Sequence, residues 1–243
     1  MTLETIGTSH LTQKDIETRL FHVYDFAQER IAALLGSSVL RHLDVGTYNG
    51  FAQYKLARIA QKVYSFDIER KKLRSAQERP DVQTLIQQKQ VMLYEMDAKH
   101  IAFADNTFDS ATIIEVFGAG FDGKPEDVKA VFEGVHRVLR PGGVLVFTVR
   151  SRTMEMFLKT FETFDTKGIA LPRRTLNPIL RPLFNSVSWY GQLTLPRATV
   201  DGVNGVFFPN EWKPDYTPHI LDETTHVPIF WTGVCQKPLL SYS

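Results

Sequence analysis

Leu43-Asp44-Val45-Gly46-Thr47-Tyr48-Asn49-Gly50 closes an apolar run that begins at Val39. A short strand, a tight glycine turn and a helical stretch from about Phe51 to Ala60 form a β-turn-α unit of an open α/β sheet. In such sheets the ligand crevice lies at the carboxyl ends of the strands. A dinucleotide requires Gly-x-Gly-x-x-Gly, because the backbone must approach a pyrophosphate closely. Here the spacing is Gly46-x-x-x-Gly50, with Tyr48 where the middle glycine would stand. A tyrosine obstructs a pyrophosphate, whereas a nucleoside cofactor without phosphates demands less of that position.

The surrounding chain repeats the pattern. Upstream, Ile16, Leu20, Val23, Ala27, Ile31 and Leu34 recur at spacings of three and four, which predicts an amphipathic helix over 15–35. Downstream, Val63 to Asp67 reads as a second strand. Asp67 lies 23 residues after Asp44, and a carboxylate at that strand end can accept hydrogen bonds from both ribose hydroxyls. A charged helix follows, closed by Pro80. Val91–Met96, Ala111–Val116 and Val144–Val149 read as further strands. Val128, Val131, Phe132, Val135, Val138 and Leu139 mark a helix that ends at Pro141-Gly142-Gly143. Strands alternating with helices predict a mostly parallel, Rossmann-like sheet with helices on both faces and right-handed crossovers.

The composition suits one enlarged soluble domain: 243 residues and 28 basic against 27 acidic side chains. A net charge of +1 lacks the basic excess of a nucleic-acid binder, so the expected partner is a small molecule. The single Cys235 permits no intrachain disulfide. Neither a signal peptide nor a bilayer-spanning apolar run is expected, which suggests a cytoplasmic protein. Nine of the 12 prolines and all three tryptophans, Trp189, Trp212 and Trp231, lie beyond residue 170. That bias predicts an irregular aromatic-rich cap before a return to strand at about Pro228.

Four segments carry a resemblance. Leu43–Gly50 is the first. Met96-Asp97-Ala98-Lys99-His100-Ile101-Ala102-Phe103-Ala104-Asp105-Asn106-Thr107-Phe108-Asp109 is the second. His136-Arg137-Val138-Leu139-Arg140-Pro141-Gly142-Gly143 and Gln236-Lys237-Pro238 complete the set. Together they resemble the class I S-adenosylmethionine-dependent methyltransferases, in the branch that includes quinone-biosynthesis and natural-product enzymes. The resemblance covers 39–150 and the last strand. It departs from the family at Tyr48, at Ala102 and Ala104 in place of loop prolines, and at Glu115-Val116-Phe117-Gly118-Ala119-Gly120, where the family often has a histidine.

The resemblance implies a seven-stranded sheet and one methyltransferase domain over 1–243. Its parts would be an N-terminal lid helix region (1–38), a cofactor-binding core (39–150), a helix and substrate cap (151–225) and a terminal strand (226–243). It implies S-adenosyl-L-methionine as cofactor, held by Asp44, Gly46, Thr47, Tyr48, Gly50, Asp67, Ile68, Asp97, Ala98, Glu115 and Tyr24. Asp97 would accept from the adenine amino group, and the Ala98 N–H would donate to the ring. Tyr24 would sit near the sulfonium by cation–π attraction.

Candidate acceptor contacts are Phe117, Trp212 and His219. No catalytic base is assigned, because a base is needed only if the acceptor must lose a proton. His100 reads as solvated, His136 as structural and His226 as a cap residue that could face the methyl group. No metal site is expected: Asp222, Glu223 and His226 read as a solvated turn. Arg173, Arg174 and Arg181 are either an anion clamp or a wet basic surface. The acceptor expected is small and fairly apolar or aromatic. The alternatives are a non-methylating S-adenosylmethionine-binding scaffold or regulatory subunit, and a protein or RNA methyltransferase. The 170–225 region is either an acceptor pocket or a homodimer interface.

Overall fold

The structure is a computed structural model, described here for residues 13–36, 39–117, 121, 124–151, 170–200, 203–206 and 215–239. The apolar stripe upstream forms α1, Gln13–Leu35, which packs across the sheet rather than away from it. The strand–turn–helix unit forms β1, Arg41–Val45, and α2, Gln53–Ile59. Then come β2, Lys62–Asp67, and two short helices, α3, Arg70–Gln77, and α4, Pro80–Gln87. Pro80 both stops α3 and opens α4, because a proline at the first helical position lacks only an N–H that would be unpaired anyway.

The remaining core elements are β3, Val91–Glu95, β4, Phe108–Ile113, α5, Pro125–Val138, and β5, Leu139–Arg150. Beyond them lie α6, Arg173–Leu180, β6, Ser186–Val200, β7, Val203–Val206, and β8, His226–Gln236.

The strand order is β3-β2-β1-β4-β5-β8-β6-β7. The pairs from β3 through β5 are parallel, and β5–β8 and β8–β6 are antiparallel. Seven strands thus form the mostly parallel Rossmann-like sheet that the sequence predicts. The short β7 continues it only as a hairpin on the far end of β6. Both faces are covered, so strands such as β4 are buried along their whole length and need not alternate. One face carries α5 and α6 over Phe132, Phe147 and Leu176. The other carries α1, α2 and α4 over Val63, Val144 and Val234.

The stretch expected to be an irregular cap differs. Within 173–200 it is helix and strand. Helix α6 runs through Pro178, which deprives it of one backbone bond; Leu176 and Leu180, both fully buried, hold the two turns in place. Pro196 stands in β6 opposite His226, a strand position that a proline can fill at a sheet's margin. Several aromatics of this region pack inward. Trp189 lies edge-on to Phe147 and Trp231, Tyr190 to Phe26, and Phe184 against His136. Phe207, Phe208 and Trp212 lie outside the described residues. Among the described residues no helix is long and apolar enough to cross a membrane.

Candidate cofactor and acceptor site

The loop after β1 turns because two glycines adopt positive φ, 80° at Gly46 and 75° at Gly50. A Cβ at Gly46 would stand 2.6 Å from Val116, and one at Gly50 would stand 2.8 Å from the Cβ of Ala76. Glycine is therefore required twice over, by dihedral and by space. The N–H groups of Gly46 and Thr47 both donate to the Phe66 carbonyl, at 2.9 Å each, locking the loop onto β2. Tyr48 also has positive φ, 51°, and its side chain is 52% exposed, with the Lys72 ammonium 5.0 Å from its ring. The tyrosine therefore folds out over the β2 end of the crevice and contributes little to the core.

Asp67 ends β2 beside this loop. It accepts the Tyr48 N–H at 3.0 Å and the Glu69 N–H at 2.9 Å, one on each oxygen. A carboxylate has about four acceptor positions, so two remain for a pair of ribose hydroxyls. Ile68 follows, an exposed apolar side chain at the crevice edge. Asp97 accepts the Lys99 N–H at 2.9 Å and lies 3.5 Å from His100, which is otherwise exposed. Ala98 is partly buried against the core. Asp44, Gly46, Asp67 and Asp97 thus stand at or just beyond the carboxyl ends of three adjacent strands.

Beneath the loop runs a buried polar chain. Asp44 is 1% exposed; it accepts from Gln53 and from Thr112, each at 3.0 Å. Gln53 also donates to Thr47 at 2.6 Å and accepts from Ser65 at 3.0 Å. His42 continues the chain, 3.0 Å from Thr112 and 2.8 Å from Ser110. Burial raises the Asp44 carboxyl to about 6, with the donated hydrogen bonds pulling back the other way. Burial lowers the His42 imidazole to about 3. Gln53 and His42 have no polar signature in the sequence, since either could have faced water.

Tyr24 is buried under α1, edge-on to Phe51 at 5.9 Å. Its phenol is held well above its ordinary pKa, first by burial and then by the negative charges of Asp44 and Glu115. Glu115, just after β4, has φ of 58°. Its N–H donates to the Thr148 hydroxyl at 3.0 Å, and that hydroxyl lies 3.2 Å from its carboxylate. The partner of Glu115 is Arg19 on α1, 2.8 Å away and fully buried. Arg19 also reaches Gln192 on β6 at 3.4 Å and lies 3.7 Å over the Phe230 ring of β8. Arg19 is absent from the sequence-derived site. Its signal is present, however: it stands at the spacing of Ile16 and Val23, a cation on the apolar stripe of α1.

Of the three acceptor candidates, Phe117 and His219 lie among the described residues, and neither is placed in the crevice. Phe117 is 3% exposed and stacks on Phe132 with centroids 5.4 Å apart, so its ring belongs to the core. His219 pairs with Asp215 at 3.0 Å and bridges the outer margin of β6 at Gly191. Trp212 and Gly118-Ala119-Gly120 lie outside the described residues. Arg173 is occupied by Glu223, at 2.5 Å, and by the Trp231 ring. Asp222 turns inward on Thr224 and Thr225.

Residues 43–147 match the family described as a methyltransferase domain. The chain carries a methyltransferase domain over residues 43–147. Solved structures with the same fold include magnesium protoporphyrin IX methyltransferase from Synechocystis PCC 6803 with bound S-adenosylhomocysteine. It is 15% identical, with a TM-score of 0.62 over 96% of this chain and 89% of that one. The N-methyltransferase NodS from Bradyrhizobium japonicum WM9, also with S-adenosylhomocysteine, is 13% identical, with a TM-score of 0.56 over 93% and 89%. A SAM-dependent methyltransferase from Methanosarcina mazei is 16% identical, with a TM-score of 0.55 over 87% and 98%. A search of curated protein sequences finds no match.

The methyltransferase domain's remaining motifs act as struts for this site. Arg137 donates to the carbonyls of Phe103 and Ile101, at 2.8 and 2.5 Å, and pairs with Asp105, fastening the loop that follows Asp97 onto α5. Asp109 accepts the N–H groups of Leu40 and Arg41 and pairs with Arg140 at 2.6 Å, joining the starts of β1, β4 and β5. Lys237 donates to the carbonyls of His136 and Leu139, at 3.0 and 2.7 Å, closing the carboxyl end of α5.

Proposed function

We propose that the protein transfers a methyl group from S-adenosyl-L-methionine to a small, fairly apolar or aromatic molecule. The observation that carries the proposal is the row of Asp44, the Gly46–Gly50 turn, Asp67 and Asp97 at the ends of β1, β2 and β3. The two positive-φ glycines turn the backbone sharply at the carboxyl end of β1, where a nucleoside would lie. Asp67 keeps acceptor positions for ribose, and Ile68 offers an apolar edge to a purine. The Ala98 N–H and the Asp97 carboxylate flank the same purine. When bound, S-adenosylmethionine supplies an electrophilic methyl on a sulfonium.

The protein's part is alignment and exclusion of water. Helix α1 covers the crevice with Tyr24 and Arg19, while Glu115 presents one carboxylate at the end of β4. No residue is assigned as a base; in-line displacement on a neutral amine or thiolate acceptor does not require one. Assembly as a homodimer through 170–225 belongs to the same proposal. The alternatives remain a scaffold that binds the cofactor without transfer, and a protein or RNA acceptor.

Calorimetry with S-adenosylhomocysteine in the presence of a chelator should give saturable binding. Asp67→Ala should weaken it by about 1.5–3 kcal/mol, the worth of hydrogen bonds to a charged group. Tight NAD binding without an S-adenosylhomocysteine signal would refute the assignment.

A further inference from the structure

Among the described residues, most of the buried side-chain polar atoms without a hydrogen bond gather in one place; Arg30 Nε, farther along α1, is the exception. Arg19 Nε, Arg150 Nε and Nη1 and Thr232 Oγ1 are buried without a hydrogen-bond partner. Buried polar groups are nearly always paired, so such a cluster calls for an absent ligand. Arg150 is opposite Phe230 in the β5–β8 ladder, and Thr232 is opposite Thr148. Opposed residues of an antiparallel pair share a face, the one that α1 covers. Arg19 lies on the same Phe230 ring. The Arg19 guanidinium thus lies on the ring of the residue that faces Arg150 in the ladder, and Glu115 is the one acid paired with either arginine among the described residues. The charge left without an acid is that of Arg150, a partly buried residue with two guanidinium nitrogens withdrawn from water, and an uncompensated charge there is costly.

Building on the methyl-transfer reading above, we propose that Arg19 and Arg150 bind a carboxylate on the methyl acceptor. A guanidinium presents several donors in a planar fork, which matches the two oxygens of a carboxylate. The cofactor's own methionine carboxylate has the same chemistry, but position favours the acceptor. Asp44, Asp67 and Asp97 stand at the ends of β1, β2 and β3 and Glu115 just after β4, whereas Arg150 lies on β5, one strand farther from the nucleoside end.

The test uses the full chain, saturated with S-adenosylhomocysteine, and benzoate as probe with benzyl alcohol as control, read by ligand-observed NMR titration. Arg19→Gln strips Glu115 of its partner and endangers the fold. Arg150→Gln, whose guanidinium pairs with no described acid, is therefore the principal variant, and Arg19→Lys is the conservative second. Benzoate should bind and benzyl alcohol should bind at least tenfold more weakly; Arg150→Gln should weaken benzoate at least tenfold while leaving S-adenosylhomocysteine affinity unchanged.

Equal binding of benzoate to wild type and Arg150→Gln overturns the proposal. So does a tenfold loss of S-adenosylhomocysteine affinity in Arg150→Gln with none for 5′-methylthioadenosine, which lacks the carboxylate: the site would then be the cofactor's. If the wild-type protein binds no S-adenosylhomocysteine, it is the methyl-transfer reading that fails.

Discussion

His42 and Asp44 are two links of one buried hydrogen-bond chain, and they titrate in opposite senses. Asp44, about 6 in the fold against 3.8 for the free side chain, is favoured while protonated. Its contribution is whole below pH 4 and is lost as pH rises through 6. His42, about 3 against 6.5, is favoured while neutral. Its contribution is present above pH 6.5 and is lost as pH falls toward 3. By proton linkage, moving from pH 7 to pH 5 adds about 1.3 kcal/mol through Asp44 and removes about 2 through His42. The imidazole wins, and the pair together leaves the fold about 0.7 kcal/mol weaker at pH 5.

Two substitutions separate the terms. In Asp44→Asn the loss between pH 7 and pH 5 should deepen by about 1.3 kcal/mol relative to wild type. In His42→Asn the acid loss should shrink by about 2 kcal/mol, enough to reverse the pair's sign. Urea unfolding at the two pH values measures each slope, and comparison with wild type cancels every other titrating group. Absolute stability will fall in both variants, because each leaves a buried partner short of a bond; the pH slope is the diagnostic. If both variants keep the wild-type slope, the chain is hydrated and the two groups are not held as described.

Gly50→Ala should lower the melting temperature, since it places a Cβ 2.8 Å from that of Ala76 at φ of 75°. The left-handed backbone alone costs roughly 1–2 kcal/mol; an unchanged melt would mean that the loop relaxes freely. Tyr48→Gly should change S-adenosylhomocysteine affinity in calorimetry while leaving the melt equal or slightly higher, because an exposed side chain is removed and a positive φ is relieved. A large loss of stability would show the tyrosine to be a packing residue.

A deletion of 172–218 would not separate an acceptor cap from a cofactor core. It removes β6, which pairs with β8 from Ser186 to Pro196, and the expected outcome is an unfolded protein.

The sequence by itself determined the part of the molecule whose signals are local. Leu43–Gly50 specified strand, turn and helix because apolar period, glycine dihedrals and helix initiation all operate within a few residues. Asp67 and Asp97 were legible for the same reason: each ends an apolar strand, and strand ends are where an open sheet binds. The struts Arg137, Arg140 and Lys237 were visible as family motifs, though their carbonyl and carboxylate partners were not.

Only the tertiary structure decided the region over β5, β8 and β6. The prolines of 172–200 argue locally against regular structure, but burial of Leu176, Leu180 and Phe184 overrides that preference. Phe117 looked available as a loop aromatic and is instead core. Arg19 interrupts the apolar stripe of α1, and nothing near it in the chain explains why. Its partners are Glu115, Gln192, which is 173 residues away, and Phe230. A charge can be buried only where oppositely charged or hydrogen-bonding groups converge on it, and that convergence exists only once β4, β6 and β8 have been brought under one helix.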